Sequence, residues 1–226
     1  SGPTMGTRTA GVAAVSTGGI ATSINQAGGT VNVNGAYANG ILANGDTATA
    51  RNYGTVQGAV TNPVGVYASA TGTATASNAG AINLTGDGPG IGVGASGATV
   101  NVTNTGSVTA SGAYVAGLFG RSSTARTTNI TNSGTVTAAA ANGGGIYGTG
   151  PTVNIINTAS GVVTGGSGSI AAVATNTYDA GTMTYIGGQA TVTNAGTLNG
   201  NVTSYNRFGR AVRVVLPNTF VANNNG

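Results

Sequence analysis

Apolar and polar residues alternate in short runs along this chain, and the runs return at a nearly constant interval. The alternation is plainest in Thr99-Val100-Asn101-Val102-Thr103 and in Gln189-Ala190-Thr191-Val192-Thr193. A period of two puts successive side chains on opposite faces of an extended chain, so each run predicts a strand with one buried face. An asparagine closes each run. Four residues before it stand Ala48, Ala74, Val100, Thr128, Val153 and Ala190, and two before it stand Ala50, Ala76, Val102, Ile130, Ile155 and Val192. These are the predicted inward columns. Thr47, Thr49, Thr73, Thr75, Thr99, Asn101, Thr127 and Asn129 lie between them and are expected to face water.

The closing asparagine opens a motif of Asn, any residue, Gly, any residue, aliphatic. It reads Asn52-Tyr53-Gly54-Thr55-Val56, Asn78-Ala79-Gly80-Ala81-Ile82, Asn104-Thr105-Gly106-Ser107-Val108, Asn132-Ser133-Gly134-Thr135-Val136 and Asn194-Ala195-Gly196-Thr197-Leu198. Looser copies run from Asn25 through Gly28 to Val31 and from Asn157 through Gly161 to Val162 or Val163. The anchors are therefore Asn25, Asn52, Asn78, Asn104, Asn132, Asn157 and Asn194, separated by 27, 26, 26, 28, 25 and 37 residues. Asn224-Asn225-Gly226 begins a further copy. One asparagine per repeat at a strand-to-turn corner predicts a hydrogen-bonded amide ladder rather than a set of ligand-binding amides. The glycine two residues later is expected to supply a positive φ.

Glycine followed by an aliphatic residue gives a second register: Gly40-Ile41, Gly65-Val66, Gly90-Ile91, Gly117-Leu118 and Gly145-Ile146. A period near 26 residues is too short for a propeller blade or a helical-repeat pair, and strong helix formers are scarce. It suits a coil of about three short strands joined by Gly/Asn turns. Such a coil cannot bury its apolar residues alone, but stacking rungs at about 4.8 Å pairs its backbone and closes a continuous core. The predicted fold is all-β, a right-handed parallel β-helix, with residues 1–226 forming one solenoid segment of a longer surface protein.

The Asn-x-Gly-x-aliphatic copies and the Gly-Ile-Tyr landmark resemble the right-handed parallel β-helix of bacterial autotransporter passenger domains, over most of residues 20–226. The stretch from Asn194 to Thr203, followed by Asn218-Thr219-Phe220, is similar to passenger repeats near the C-terminal end of the secreted region. The resemblance implies a secreted or outer-membrane-surface location and a structural or adhesive role. Implied partners are a host or neighbouring-cell surface, glycans, or copies of the chain itself end to end.

Composition narrows the chemistry. The chain has 42 Gly, 4% charged residues and no Cys, His, Lys, Glu or Trp. The usual general bases, thiolate nucleophiles, Schiff-base amines and soft metal ligands are thus missing, and neither enzyme activity, cofactor nor metal is expected. The net charge of +4 comes from seven arginines against Asp46, Asp87 and Asp179, without a basic patch, so nucleic-acid binding is not indicated. The three aspartates fall at different offsets from their anchors, so the repeat does not assemble a carboxylate pair across a glycosidic bond. Lack of cysteine is compatible with export. No apolar run is long enough to span a membrane, and Ser1 opens the sequence without a signal-peptide pattern, as in a mature or trimmed segment.

Some surface features remain. The long interval from Asn157 to Asn194 is expected to bulge, and its Tyr178, Asp179, Met183 and Tyr185 form the candidate interaction loop. A shorter excursion carries Arg121 and Arg126. Tyr67, Phe119 and Tyr147 share one offset from the second landmark, interrupted by Leu42 and Gly92, and could stack on sugar rings or simply cover a corner. Arg207, Arg210 and Arg213 could meet an anionic glycan or guard a strand edge. The Thr47/Thr49 and Thr73/Thr75 pairs suggest an ice-binding lattice, but Thr99 pairs with Asn101 and the regularity stops. A glycan-binding or glycan-active β-helix is the main alternative to the fibre.

Overall fold

A computed structural model describes residues 10–112, 115–123, 126–138, 140, 142–179, 181, 183–186, 188–206, 212–215 and 222–223. For residues 177–179, 184–186, 203–206, 212–215 and 222–223 only the backbone is described. Three parallel sheets of nine, eight and seven strands wrap the described chain, which holds no helix. The result is a β-solenoid of about six coils of roughly 26 residues. Each coil visits the three sheets in turn, as in Asn39–Gly45, Thr47–Asn52 and Thr55–Ala59. The next coil stacks Val64–Ala70, Thr73–Asn78 and Ala81–Thr85 directly on these.

The period-two runs form the second sheet, and all twelve expected inward residues are at most 1% exposed. Val102 stacks between Ala76 and Ile130, and Val100 between Ala74 and Thr128. Thr128 is an inward polar residue, and its Oγ1 donates to the Thr149 carbonyl at 2.8 Å. Ile41, Val66, Val93, Leu118, Ile146 and Ile170 face the second sheet from the first, and Val56, Ile82, Val108, Val136 and Val163 close the third side. Volume is exchanged across this narrow core. Where the second sheet contributes Ile130 and Ile155, the first contributes Gly120 and Gly148, whose missing Cβ atoms would stand 3.1 and 3.2 Å from those isoleucine Cδ1 atoms. Where the second sheet has Ala50 and Ala76, the first has Ala43 and Ala68.

Stacking corrects the second landmark in one coil. Val93, not Ile91, pairs with Val66 below and Leu118 above, so the third copy is Gly92-Val93. Both dipeptides satisfy the pattern, and only continuity of the inward column separates them. The glycine column Gly40, Gly65, Gly92, Gly117, Gly145 is steric in origin. A Cβ there would run into Val56, Ile82, Val108, Val136 or Val163 of the third sheet and into the backbone oxygen of the next rung.

The anchor glycines are also corrected. None of Gly54, Gly80, Gly106, Gly134 and Gly196 has a positive φ. A Cβ on each would instead overlap the carbonyl oxygen of the preceding rung's glycine, as Gly106 would with Gly80. In the first loose copy Gly29, not Gly28, occupies the ladder position, and Gly28 at φ 79° takes up the extra residue in a turn closed by Gly29 N donating to Gln26 O at 3.0 Å. In the second, Val163 is the buried residue and pairs with Val136.

Candidate functional site

The seven anchor asparagines end the strands of the second sheet and form one buried ladder. Asn25 Nδ2 donates to Asn52 Oδ1 at 2.8 Å, and the same bond recurs at 2.7, 2.9, 2.9, 2.8 and 2.7 Å up to Asn194. Each amide also donates to its own turn, as Asn104 Nδ2 does to Gly106 O at 3.2 Å. With every amide at 6% exposure or less, the column offers no ligand-facing atom along its length. Its chemistry is structural, tying each turn to the next rung.

Outside the second sheet stands a flat, nearly uncharged face. Thr47, Thr73, Thr99, Thr127 and Thr152 follow one another in register, and the neighbouring column runs Thr22, Thr49, Thr75, Asn101, Asn129, Asn154, Thr191. Asn129 and Asn154 donate to Asn101 and Asn129, each at 3.0 Å, in a second, outward ladder. Thr-x-Thr pairs thus give way to Thr-x-Asn after Thr75, and the side chains there bond one another.

The long interval holds an antiparallel hairpin, Thr177–Asp179 paired with Thr184–Ile186, inserted between the first-sheet strand Gly168–Ala174 and the second-sheet strand Gln189–Asn194. Tyr178 lies opposite Tyr185 and Asp179 opposite Thr184. Met183 sits at the tip at φ 51° and is 80% exposed. Gln189 N donates to Pro151 O at 2.8 Å, so the base is held to the rung beneath. Arg207 and Arg210 lie outside the described residues, as do Asn224, Asn225 and Gly226. Arg213 pairs with Thr191 on a strand, Val212–Val215, that adds a further rung to the second sheet.

Asp46 lies at the corner between the first and second sheets and accepts from Thr71 Oγ1 at 2.9 Å; Asp87 lies at the corner between the third and first. Among the described residues no cluster of three His, Cys, Asp or Glu could hold a metal ion. No helix among them is long and apolar enough to cross a membrane, which does not bear on membrane β-barrels.

The first sheet's outer face carries the aromatic column singled out in the sequence and, beside it, a groove that the sequence pattern did not reveal. Phe119 and Tyr147, register partners in adjacent rungs, stack with ring centroids 5.8 Å apart and planes 6° apart. Their column reads Leu42, Tyr67, Gly94, Phe119, Tyr147, Ala171, so the gap is Gly94 rather than Gly92. The stacked rings form a ridge between two depressions. One includes Arg121, Ser122 and Thr149. The other is an apolar groove of about 610 Å³ with a floor of Val64, Ile91, Ala116, Gly144 and Gly168, successive members of one register column. Corner residues Tyr37, Asn62, Pro89, Val115 and Asn142 make its far wall. Tyr37, Asn62, Pro89 and Asn142 each stand three residues before a glycine of the column Gly40, Gly65, Gly92 and Gly145, so the period aligns them, yet their side chains differ from coil to coil and no shared residue type marks the column.

The class defined by this architecture is the parallel β-solenoid. No family model matches the chain, and no curated protein or solved structure is significantly similar to it.

Proposed function

We propose that this chain is a structural and adhesive segment of a secreted or surface-displayed bacterial fibre, of the kind formed by autotransporter passenger domains. The observation that supports the reading is the unbroken amide ladder from Asn25 to Asn194. A column of buried, mutually bonded amides fixes the rung spacing and resists bending and slippage, which suits a rod presenting its faces to other surfaces. A coil-on-coil core also grows in one dimension, so length is gained without a larger cross-section. The role needs no catalytic group and no cofactor, in keeping with a chain whose three aspartates are dispersed. Its partners are a host or neighbouring-cell surface, and parallel strand edges at the ends permit copies to join head to tail.

The test pairs location with adhesion. Antibodies to the chain should label the exterior of intact source cells, and beads coated with it should adhere to cells above albumin-coated beads. Antigen confined to the cytoplasm, or adhesion no greater than that of albumin, would overturn the proposal.

A further inference from the structure

The apolar groove beside the Phe119–Tyr147 ridge is the surface whose chemistry is most specific. Its floor crosses five rungs, from Val64 to Gly168, so it runs along the rod for about 19 Å at the rung spacing of parallel strands. A ligand filling it is elongated and lies perpendicular to the strands.

Charge narrows the class. Among the described residues, none of the side chains lining the groove is acidic or basic, whereas Arg121 stands in the depression on the other side of the ridge. An anionic polymer would find no counter-charge here. Backbone geometry narrows it further. An extended peptide is captured by adding to a strand edge, but each floor strand already pairs with the rungs above and below it. A peptide along the rod axis would leave its amides without strand partners.

A polar atom at one end calls for a hydrogen-bond donor. Asn62 Oδ1 is shielded and accepts nothing from the protein, and because the residue as a whole is only half-buried, its amide can turn into the groove to meet a ligand hydroxyl. Tyr37 and Asn62 lie one rung apart with φ of 61° and 55°, two of the three non-glycine residues with positive φ among those described. Strained conformations of this kind gather at ligand sites, and a buried carbonyl oxygen gains most from a bound hydroxyl. A hydrocarbon chain supplies none. Beyond Tyr147 the aromatic column continues as Ala171, whose methyl cannot cover a ring, leaving an apolar platform bordering the groove.

We infer that this groove binds a linear, uncharged oligosaccharide, its apolar sugar faces against the floor and Tyr147 and its hydroxyls on Asn62 and the rim. The inference rests on the adhesive reading and names its ligand class. The experiment is a glycan array of neutral gluco-, xylo-, manno- and galacto-oligomers of increasing length with their uronic acid counterparts, then calorimetric titration of the tightest binder. Neutral oligomers should bind, more tightly with length until the groove is filled. Gly144→Leu should abolish binding, because a Cβ at Gly144 meets nothing within 4 Å and the added side chain would occupy the groove without displacing backbone. Asn62→Gly, which keeps the positive φ while removing the acceptor, and Tyr147→Ala should each weaken binding roughly tenfold or more. Thr49→Ala on the second sheet's outer face should bind like the parent. Neutral binding that persists in Gly144→Leu and Asn62→Gly overturns the inference, as does a preference for acidic oligomers, dodecanoate or an extended peptide. If no neutral oligomer binds while coated beads still adhere, the groove assignment falls and the adhesive reading stands; if adhesion fails as well, both fall.

Discussion

Asn104→Ala isolates what one ladder amide contributes. Asn104 is fully buried, accepts from Asn78 Nδ2 at 2.9 Å, and donates to Asn132 Oδ1 at 2.9 Å, Gly106 O at 3.2 Å and Thr135 O at 3.3 Å. Truncation removes the amide that donates to Asn132 Oδ1, and a buried orphaned polar atom costs about 1–3 kcal/mol. Asn78 Nδ2 keeps Gly80 O and Ser107 O, each at 3.1 Å, so its loss is smaller. Adding the weakened turn carbonyls and the space left by the side chain, the expected loss is about 3–5 kcal/mol. Asn101 is the internal control, since it lies in the same rung on the outward ladder and is half-buried. Its alanine variant should lose less than about 1 kcal/mol, because water replaces the missing partner. Urea unfolding followed by circular dichroism, with the slope compared between variants, measures both. Asn194→Ala at the ladder's far end should fall between them, since Asn157 Nδ2 retains Gly161 O at 3.1 Å. Equal losses for Asn101→Ala and Asn104→Ala would refute the argument that burial gives the ladder its strength.

Val102→Asp places a carboxylate between Ala76 and Ile130 with no partner, and should cost several kcal/mol or prevent folding; a parental melting curve would show the inward assignment to be wrong. Two glycines should respond differently to alanine. Gly106→Ala drives a Cβ into the Gly80 carbonyl and should cost about 3 kcal/mol or more, whereas Gly28→Ala meets nothing within 4 Å and should cost only the ~1–2 kcal/mol of its left-handed backbone. Excising residues 177–187, so that Asn176 meets Gly188, should leave stability within about 1 kcal/mol by thermal denaturation, because the hairpin is an addition to a corner already held by its neighbours. The purified chain should release no product from pectin, alginate, dextran or peptidoglycan, and reproducible release abolished by Asp46→Asn, Asp87→Asn or Asp179→Asn would contradict the non-catalytic reading.

The repeat makes much of this fold legible in the sequence. In a parallel stack held in register, residues one period apart in sequence become neighbours in space, so Asn52, Asn78 and Asn104 could be read as one column and Ala50, Ala76 and Val102 as another. What escaped the sequence depends on contacts between columns. Gly90-Ile91 and Gly92-Val93 satisfy the same local pattern, and only packing against Val66 and Leu118 selects the second. The anchor glycines looked like turn residues, yet their requirement is room for a carbonyl one rung away, a distance that no single coil contains. Tyr37, Asn62, Pro89 and Asn142 each stand three residues before a glycine of the column Gly40, Gly65, Gly92 and Gly145, so the period aligns them, but nothing in the repeat shows that the corner they line, beside the floor from Val64 to Gly168, is hollow; the tertiary structure decided that. Periodicity determines what stacks along the rod, and the packing of the columns against one another at the corners determines what shape the rod shows to a ligand.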